Sequence, residues 1–403
     1  MNPQTEYYIS RKIQIFPTDK QKLLLDRYID LYRCVYNWAI NEIEQWEIAY
    51  NVELENKRRP SIFDLERKFT KFKHQNSFLD DMPYGSAKLA VWAALNNYKM
   101  YDKFIIGFKK PKFKSKKKQN KSNASYRTRC NRMYFSGSKL RIEGLPKGEM
   151  IETKYNLGYI TPKDNPEFFK STIVRDNIGR YWITYTIIQK KITVPCDNEK
   201  ISSGAIGIDI NKTKRFVLST GKIYYAPDIS KAIKQLKHAQ RHCQKDINRR
   251  KQLEKTNPNI DSDLLISNRA KKRSIVRNKK RKKISNIVRS FNHKVTKEII
   301  LMQPKAIVME DIKVHNIIKN KYTKRHMFGV VFSEIIEMMK YKSNIYNIPF
   351  VQAPDDYPST QLCSRCGRKK KMYSQKKYIC DYCGLIIDRD INAAKNLEKL
   401  AYV

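Results

Sequence analysis

The 403-residue chain is long enough for two or three domains with cores of their own, and its 82 Lys and Arg against 39 Asp and Glu leave a formal net charge of +43. An excess of that size repels itself unless a polyanion meets it. No apolar run approaches the length that spans a bilayer, so a membrane partner is excluded and nucleic acid is the expected one.

The spacing predicts a strand over residues 7–16, with Ile9, Ile13 and Ile15 at its apolar positions and Pro17 closing it. Thr18 with Gln21 three residues on forms a capping box for the next helix. Along that helix Leu23, Leu24, Tyr28, Leu31, Cys34, Val35 and Trp38 recur at helical spacing and are expected in the core. Helical pattern continues to about residue 108, and a basic loop with eight lysines follows over 109–121. Short strands are expected over 132–135, 139–142, 157–161, 171–175 and 181–188, the last two joined by a turn at Asn177, Ile178 and Gly179. A polar link over 196–203 marks a domain boundary or a loop within one domain.

From residue 204 the pattern becomes α/β. Strands over 205–210, 215–219 and 222–225 form a meander, and long helices follow over 229–254 and 264–302. A buried strand over 306–309, a helix over 329–346 and a strand over 350–353 complete this part. Between 269 and 289 the second long helix carries eleven Lys and Arg and no acid, which favours phosphate contact over a merely solvated face.

Two constellations carry chemistry. Cys363, Cys366, Cys380 and Cys383 form a C-x2-C-x13-C-x2-C pattern, with Gly367 and Gly384 directly after the second Cys of each pair. Two thiolate pairs on tight turns suit one tetrahedral structural Zn2+, and two disulfides are the alternative. The polar stretch 2–14 lacks a secretory pattern, so a reducing compartment and zinc are expected; Cys34, Cys130, Cys196 and Cys243 are then reduced thiols. Four protein ligands leave no open position, so such an ion folds the module rather than catalyses.

The second constellation is acidic. Asp209 lies within an apolar strand, Glu310 closes another, and Asp390 stands just after the cysteine pattern at a helix start. Three carboxylates in such places could hold two Mg2+ ions about 4 Å apart, one activating water and the other stabilising the leaving oxygen of a phosphodiester. Taken singly, each has another reading. Asp209 could cap a turn, Glu310 or Asp311 could pair with lysines, and Asp388 or Asp390 could be the N-cap of a helix over 392–400. As an ordered set on a strand hairpin, a strand and a helix start, they match the elements of an RNase H-like core.

Gly207-Ile208-Asp209, Val308-Met309-Glu310-Asp311, the run from Tyr357 to Gly367, and Asp388-Arg389-Asp390-Ile391-Asn392-Ala393-Ala394-Lys395-Asn396-Leu397 closely resemble the TnpB family of transposon-encoded RNA-guided DNA nucleases. Compact type V CRISPR effectors share the pattern. The N-terminal signature of that family resembles Ile15-Phe16-Pro17-Thr18, Gln21 and Arg33-Cys34-Val35-Tyr36-Asn37. The resemblance implies an α+β multidomain fold: a β-barrel-like wedge domain (1–17 and 109–200), an inserted helical recognition lobe (18–108), and an RNase H-like (RuvC) α/β nuclease domain (201–354). An inserted zinc ribbon (355–387) and a final RuvC segment (388–403) complete it. It implies a catalytic triad of Asp209, Glu310 and Asp390 with two Mg2+, one Zn2+ on the four cysteines, and a guide RNA and target double-stranded DNA as partners. The same resemblance implies cleavage beside a short adjacent motif, as a monomer or homodimer in a prokaryotic cytosol, associated with the nucleoid. Where the family often has Gly two residues after the first aspartate, this chain has Asn211, which tolerates the left-handed backbone expected there. Two other readings of the chain are a nuclease-independent nucleic-acid binder, which leaves the strand-end acids unexplained, and a DDE transposase, whose acid order differs.

Overall fold

The computed structural model describes residues 6–49, 59–103, 109–116, 124–128, 133–160, 171–190, 204–211, 213–256, 266–310, 332–354, 356–372 and 375–402. The link over 196–203, residues 104–108 and 117–121, the first residues of the expected 329–346 helix, Asp311, Cys130 and Cys196 lie outside them. The chain divides into two compact units, Met1–Gln189 and Lys190–Val403.

In the first unit β1 (Glu6–Phe16) leads through Pro17 into α1 (Asp19–Ala49). The capping box is reciprocal: the Gln21 amide donates to Thr18 Oγ1 at 3.3 Å and the Thr18 amide to Gln21 Oε1 at 3.1 Å. The buried stripe of α1 runs through Leu25, Ile29, Tyr32, Tyr36, Ile40 and Ile43. That stripe corrects the sequence expectation at two positions, since Leu23 is 75% exposed and Cys34 half-buried, both lying off the stripe's axis. Trp38 lies at the edge, stacked at 5.2 Å on Phe72 of α2 (Ile62–His74). Packed on α1 is α3 (Tyr84–Asp102), whose buried Ala87, Ala90 and Ala94 let the two helices approach closely.

Strands β2 (Ala124–Thr128), β3 (Tyr134–Ser136), β4 (Lys139–Arg141), β5 (Ile151–Thr153), β6 (Tyr159–Ile160), β7 (Ser171–Arg175) and β8 (Tyr181–Lys190) join β1 in an eight-stranded sheet ordered β2-β7-β8-β1-β5-β4-β3-β6. The β7–β8 hairpin turns where expected, and buried Asp176 fixes it by accepting from the amides of Ile178 and Arg180 and from Trp182 Nε1. Strands β2 and β5 escape sequence reading because runs this short, set among lysines and turns, carry too little alternation.

The second unit is a three-layer α/β arrangement. Its sheet runs β11-β10-β9-β12-β13, where β9 is Ile206–Asp209, β10 Lys214–Leu218, β11 Ile223–Tyr225, β12 Ile307–Met309 and β13 Phe350–Gln352. The first three form the expected antiparallel meander, whereas β12 pairs parallel with both β9 and β13. Parallel pairing needs long crossovers. The first includes α4 (Ser230–Thr256) and α5 (Asn268–Leu301), and the second includes α6 (Phe332–Ile345).

On one sheet face Ile206, Ile208, Phe216 and Met309 pack against Ile299 of α5 and Met339 of α6. On the other, Val308 and Ala353 meet Leu397 of α7 (Arg389–Lys399). Between β13 and α7 sits a small module with its own two-stranded sheet, β14 (Lys377–Ile379) and β15 (Ile386–Asp388), around the buried Cys363, Cys380 and Tyr378. Among the described residues no helix is long and apolar enough to cross a membrane.

Candidate metal centres and basic surface

The four cysteines converge. One ligand atom from each of Cys363, Cys366, Cys380 and Cys383 lies within 4.8 Å of the others. The Cys363 and Cys383 sulfurs stand 3.5 Å apart and those of Cys366 and Cys380 3.6 Å, far beyond a disulfide bond and near the edge of a thiolate tetrahedron around a 2.3 Å metal bond. Each Cys pair brackets one knuckle, closed by Gly367 N–H to Cys363 O at 2.9 Å and Gly384 N–H to Cys380 O at 3.0 Å. Both glycines have positive φ, 74° and 69°, which a side chain would strain. Amides of Cys383 and Tyr382 hold the Cys380 thiol down to about 6, while burial pushes the Cys383 thiol up to about 12. Four sulfurs this close cannot all ionise without a cation, and a thiolate-binding metal fits the donor set.

The module is fastened to α7 by two buried asparagines. Asn392 donates to Leu362 O at 2.6 Å and accepts from the Ser364 amide at 2.9 Å; Asn396 donates to Ser359 O at 2.8 Å and to Leu362 O at 2.7 Å. The helix that carries Asp390 is thus tied directly to the cysteine knuckle.

The acids come together by topology. Ile208 is the register partner of Met309 in the parallel β9–β12 pair, so Asp209 and Glu310 follow at the same carboxyl edge of neighbouring strands. Gly207, two residues before Asp209 on the same strand face, lies against α7. A Cβ at Gly207 would stand 2.0 Å from Ala394 O and 2.4 Å from the Glu398 amide, so only glycine permits this approach. With Ala394 against Gly207, Asp390 one turn earlier on α7 comes up beside Asp209.

Asp209 is 6% exposed. Burial first, and then the negative charges of Asp390 and Glu310, push its carboxyl up to about 7, against one hydrogen bond from Asn211 Nδ2 at 2.9 Å. Burial also raises the Glu310 carboxyl. A buried carboxylate facing two more acids is costly unless a cation joins it, and oxygen donors suit Mg2+ or Mn2+. Among the described residues the four cysteines are the one group of three or more metal-ligating side chains whose donor atoms already converge. The acids stand further apart.

Of the two acids read as possible N-caps the structure selects one, and two further features escaped sequence reading. Asp388 is the N-cap of α7, its Oδ1 accepting from the amides of Asp390 at 3.0 Å and Ile391 at 3.4 Å, so the helix begins at Arg389 rather than 392. Asn211 does not take the left-handed backbone expected of it; its side chain instead holds Asp209. Lys214 places its ammonium 2.6 Å from Asp388 Oδ2 and 3.2 Å from Asp390 Oδ2.

The basic run lies on the N-terminal half of α5, which pairs with α4. Arg273 pairs with Asp246 at 2.7 Å and Lys280 donates to Gln235 at 2.8 Å, joining the two helices. Between them lies a cavity of about 500 Å³ lined by Lys237, Arg241, Arg277 and Arg281 with Gln240 and Gln244, and no acid lines it.

Comparison with known proteins bears on the same elements. The Cas12f1-like TNB domain family matches residues 332–397, from α6 through the cysteine module to α7. A helix-turn-helix family of IS605 OrfB proteins matches residues 8–47, which here are most of β1 and α1. A TnpB-like protein of Acanthamoeba polyphaga mimivirus is 24% identical over 97% of this chain and 73% of its own length. The chain is thus similar to TnpB-like proteins over nearly its whole length. Two further relatives, both named as RNA-guided DNA endonucleases, come from Streptomyces pristinaespiralis, 26% identical over 96% of this chain and 87% of its own, and from Escherichia coli K12, 23% identical over 96% and 90%. Among solved structures, Cas12f1 in its complex with sgRNA and target DNA has the same α+β multidomain fold, with a TM-score of 0.51 and 13% identity over 94% of this chain and 83% of that one.

Proposed function

We propose that this chain is a TnpB-type RNA-guided DNA endonuclease that cleaves target DNA beside a short adjacent motif, with Asp209, Glu310 and Asp390 as its catalytic carboxylates. The observation that carries this reading is the approach of Gly207 to Ala394, which brings a buried aspartate, the neighbouring strand's glutamate and a helix-start aspartate to one edge of a sheet. The sheet order, a three-stranded meander continued by two parallel strands, supports an RNase H-like (RuvC) nuclease core. In this reading residues 1–17 and 109–200 form the wedge domain and 18–108 the recognition lobe. Residues 201–354 and 388–403 form the nuclease domain, and 355–387 the zinc ribbon.

Divalent Mg2+ ions held by the three carboxylates would lower the pKa of an attacking water and stabilise the leaving phosphodiester oxygen. Asn211 fixes one oxygen of Asp209 and leaves the other free for such an ion. Asp388 caps α7 and so fixes the backbone that presents Asp390. Zn2+ on the four thiolates would hold the knuckle, and Asn392 and Asn396 pass its rigidity to α7. Lysines and arginines of α4 and α5 grip phosphates, while base pairing with the guide selects the sequence.

The test is reprogramming. Protein purified with RNA transcribed from beside its own gene should cut duplex DNA in Mg2+, the cut should move when the guide segment is replaced, and Asp209→Ala should not cut. Cleavage that ignores the guide sequence defeats the reading.

A further inference from the structure

Lys214 has no part in the metal-ligand set, yet its ammonium is the cation nearest the third carboxylate. It stands 2.6 Å from Asp388 Oδ2 and 3.2 Å from Asp390 Oδ2. Its position depends on a bulge. Phe216 faces the core with Ile208, and in a regular strand Lys214, two residues earlier, would face the same way. Instead the register slips between them: Lys214 pairs with Tyr225 and Phe216 with Tyr224, so β10 holds one extra residue, Arg215. The bulge turns Lys214 to the opposite face, where Val217 is the register partner of Asp209 and α7 begins.

Asp388 completes the arrangement by dividing its two oxygens. Oδ1 caps α7 through the Asp390 and Ile391 amides, and Oδ2 takes the Lys214 ammonium, which also reaches Asp390. Asp390 lies close enough to Asp209 for their negative charges to repel. Without a counter-charge on its outer side, the Asp390 side chain would swing towards solvent. An ammonium held between Asp388 and Asp390 removes that tendency at Oδ2, while the Arg389 guanidinium stands slightly further off, 3.4 Å from Oδ1.

We propose that Lys214, aimed by the β10 bulge and anchored by Asp388, is a positioning residue that orients Asp390 for divalent-metal binding. This rests on the carboxylate reading above, and the experiment separates the two. Mn2+ affinity is measured by electron paramagnetic resonance on the full zinc-loaded chain for wild type, Asp209→Ala, Lys214→Met and Lys214→Arg. Partners of metal-ligating carboxylates typically contribute a factor of about 10 to 100 in metal affinity. Lys214→Met should therefore bind Mn2+ about tenfold more weakly, Lys214→Arg should recover most of the loss, and Asp209→Ala should lose the site. Should Lys214→Met fail to fold, Lys214→Gln keeps part of the stem without the charge and carries the same expectation.

Unchanged or tighter Mn2+ binding in Lys214→Met, with binding lost in Asp209→Ala, overturns the role of Lys214 and leaves the carboxylate site standing. Wild-type affinity in Asp209→Ala overturns both. An equal loss in Lys214→Met and Lys214→Arg also counts against the proposal, because a positioning cation tolerates the other basic side chain whereas a packing defect does not.

Discussion

The cysteine module and the carboxylate edge both meet α7, and they are built in opposite ways. Four thiols converge within 4.8 Å around two short turns, so the knuckle's own backbone assembles the site. The carboxylates come from two strands and a helix separated by long crossovers, and Asp209 is buried against the charges of its neighbours. In the reading proposed above, the cysteine site is finished in advance, while the carboxylate site stores unfavourable charge until cations arrive. The two are joined through Asn392 and Asn396, so a defect in the first should reach the second.

The largest expected effect separates them cleanly. Asp209→Ala, Glu310→Ala or Asp390→Ala should each lower target cleavage at least about a thousandfold, the equivalent of several kcal/mol of charge stabilisation, with guide and target affinity nearly unchanged. Cleavage assays beside filter binding check this. Cys380→Ser should act on folding instead. Structural zinc supplies on the order of 10 kcal/mol of apparent binding free energy, so the variant should lack stoichiometric zinc by elemental analysis and lose protease resistance around residues 355–387. Its cleavage should fall as a consequence.

A pH experiment sharpens the contrast. In the metal-free folded chain Asp209 keeps its proton up to about pH 7, whereas unfolded it releases it near 3.8. The folded state therefore binds the extra proton between those values, and the stability it contributes, full below 3.8, is lost as pH rises through about 7. Stabilisation by added Mg2+ should accordingly grow between pH 6 and 8 in thermal melts, and Asp209→Asn should flatten that growth.

On the basic surface, replacing Lys279, Lys280, Arg281, Lys282 and Lys283 by Gln should weaken nucleic-acid binding across sequences. The salt dependence of log K should flatten by up to about 0.9 per lost duplex phosphate contact. Smallest of all, Asp388→Ala removes a helix cap worth about 1 kcal/mol together with the anchor of Lys214, and should slow cleavage without abolishing it. If Asp388→Ala abolished cleavage and Asp390→Ala spared it, the third carboxylate would be Asp388.

How much of this was legible in the sequence follows from the same contrast. The cysteine spacing is local, so four residues and two glycines specify the module. The strand-end acids are visible too, because Asp209 and Glu310 interrupt apolar runs that otherwise have no reason to carry charge. Lys214 was not legible, since its direction depends on a one-residue bulge that no periodicity records. The cap was legible only as a choice between Asp388 and Asp390, which the start of α7 at Arg389 decides. Leu23 was misplaced because an apolar residue near a helix start fits several stripes until the partner helix is known.

The most direct test of the central claim is to see the two metals. Anomalous diffraction from crystals of the guide-bound protein soaked in Mn2+ should place manganese against Asp209, Glu310 and Asp390 and zinc against Cys363, Cys366, Cys380 and Cys383, with the manganese signal absent in Asp209→Ala. Manganese missing from the three carboxylates of a protein that still cleaves its target would contradict the account.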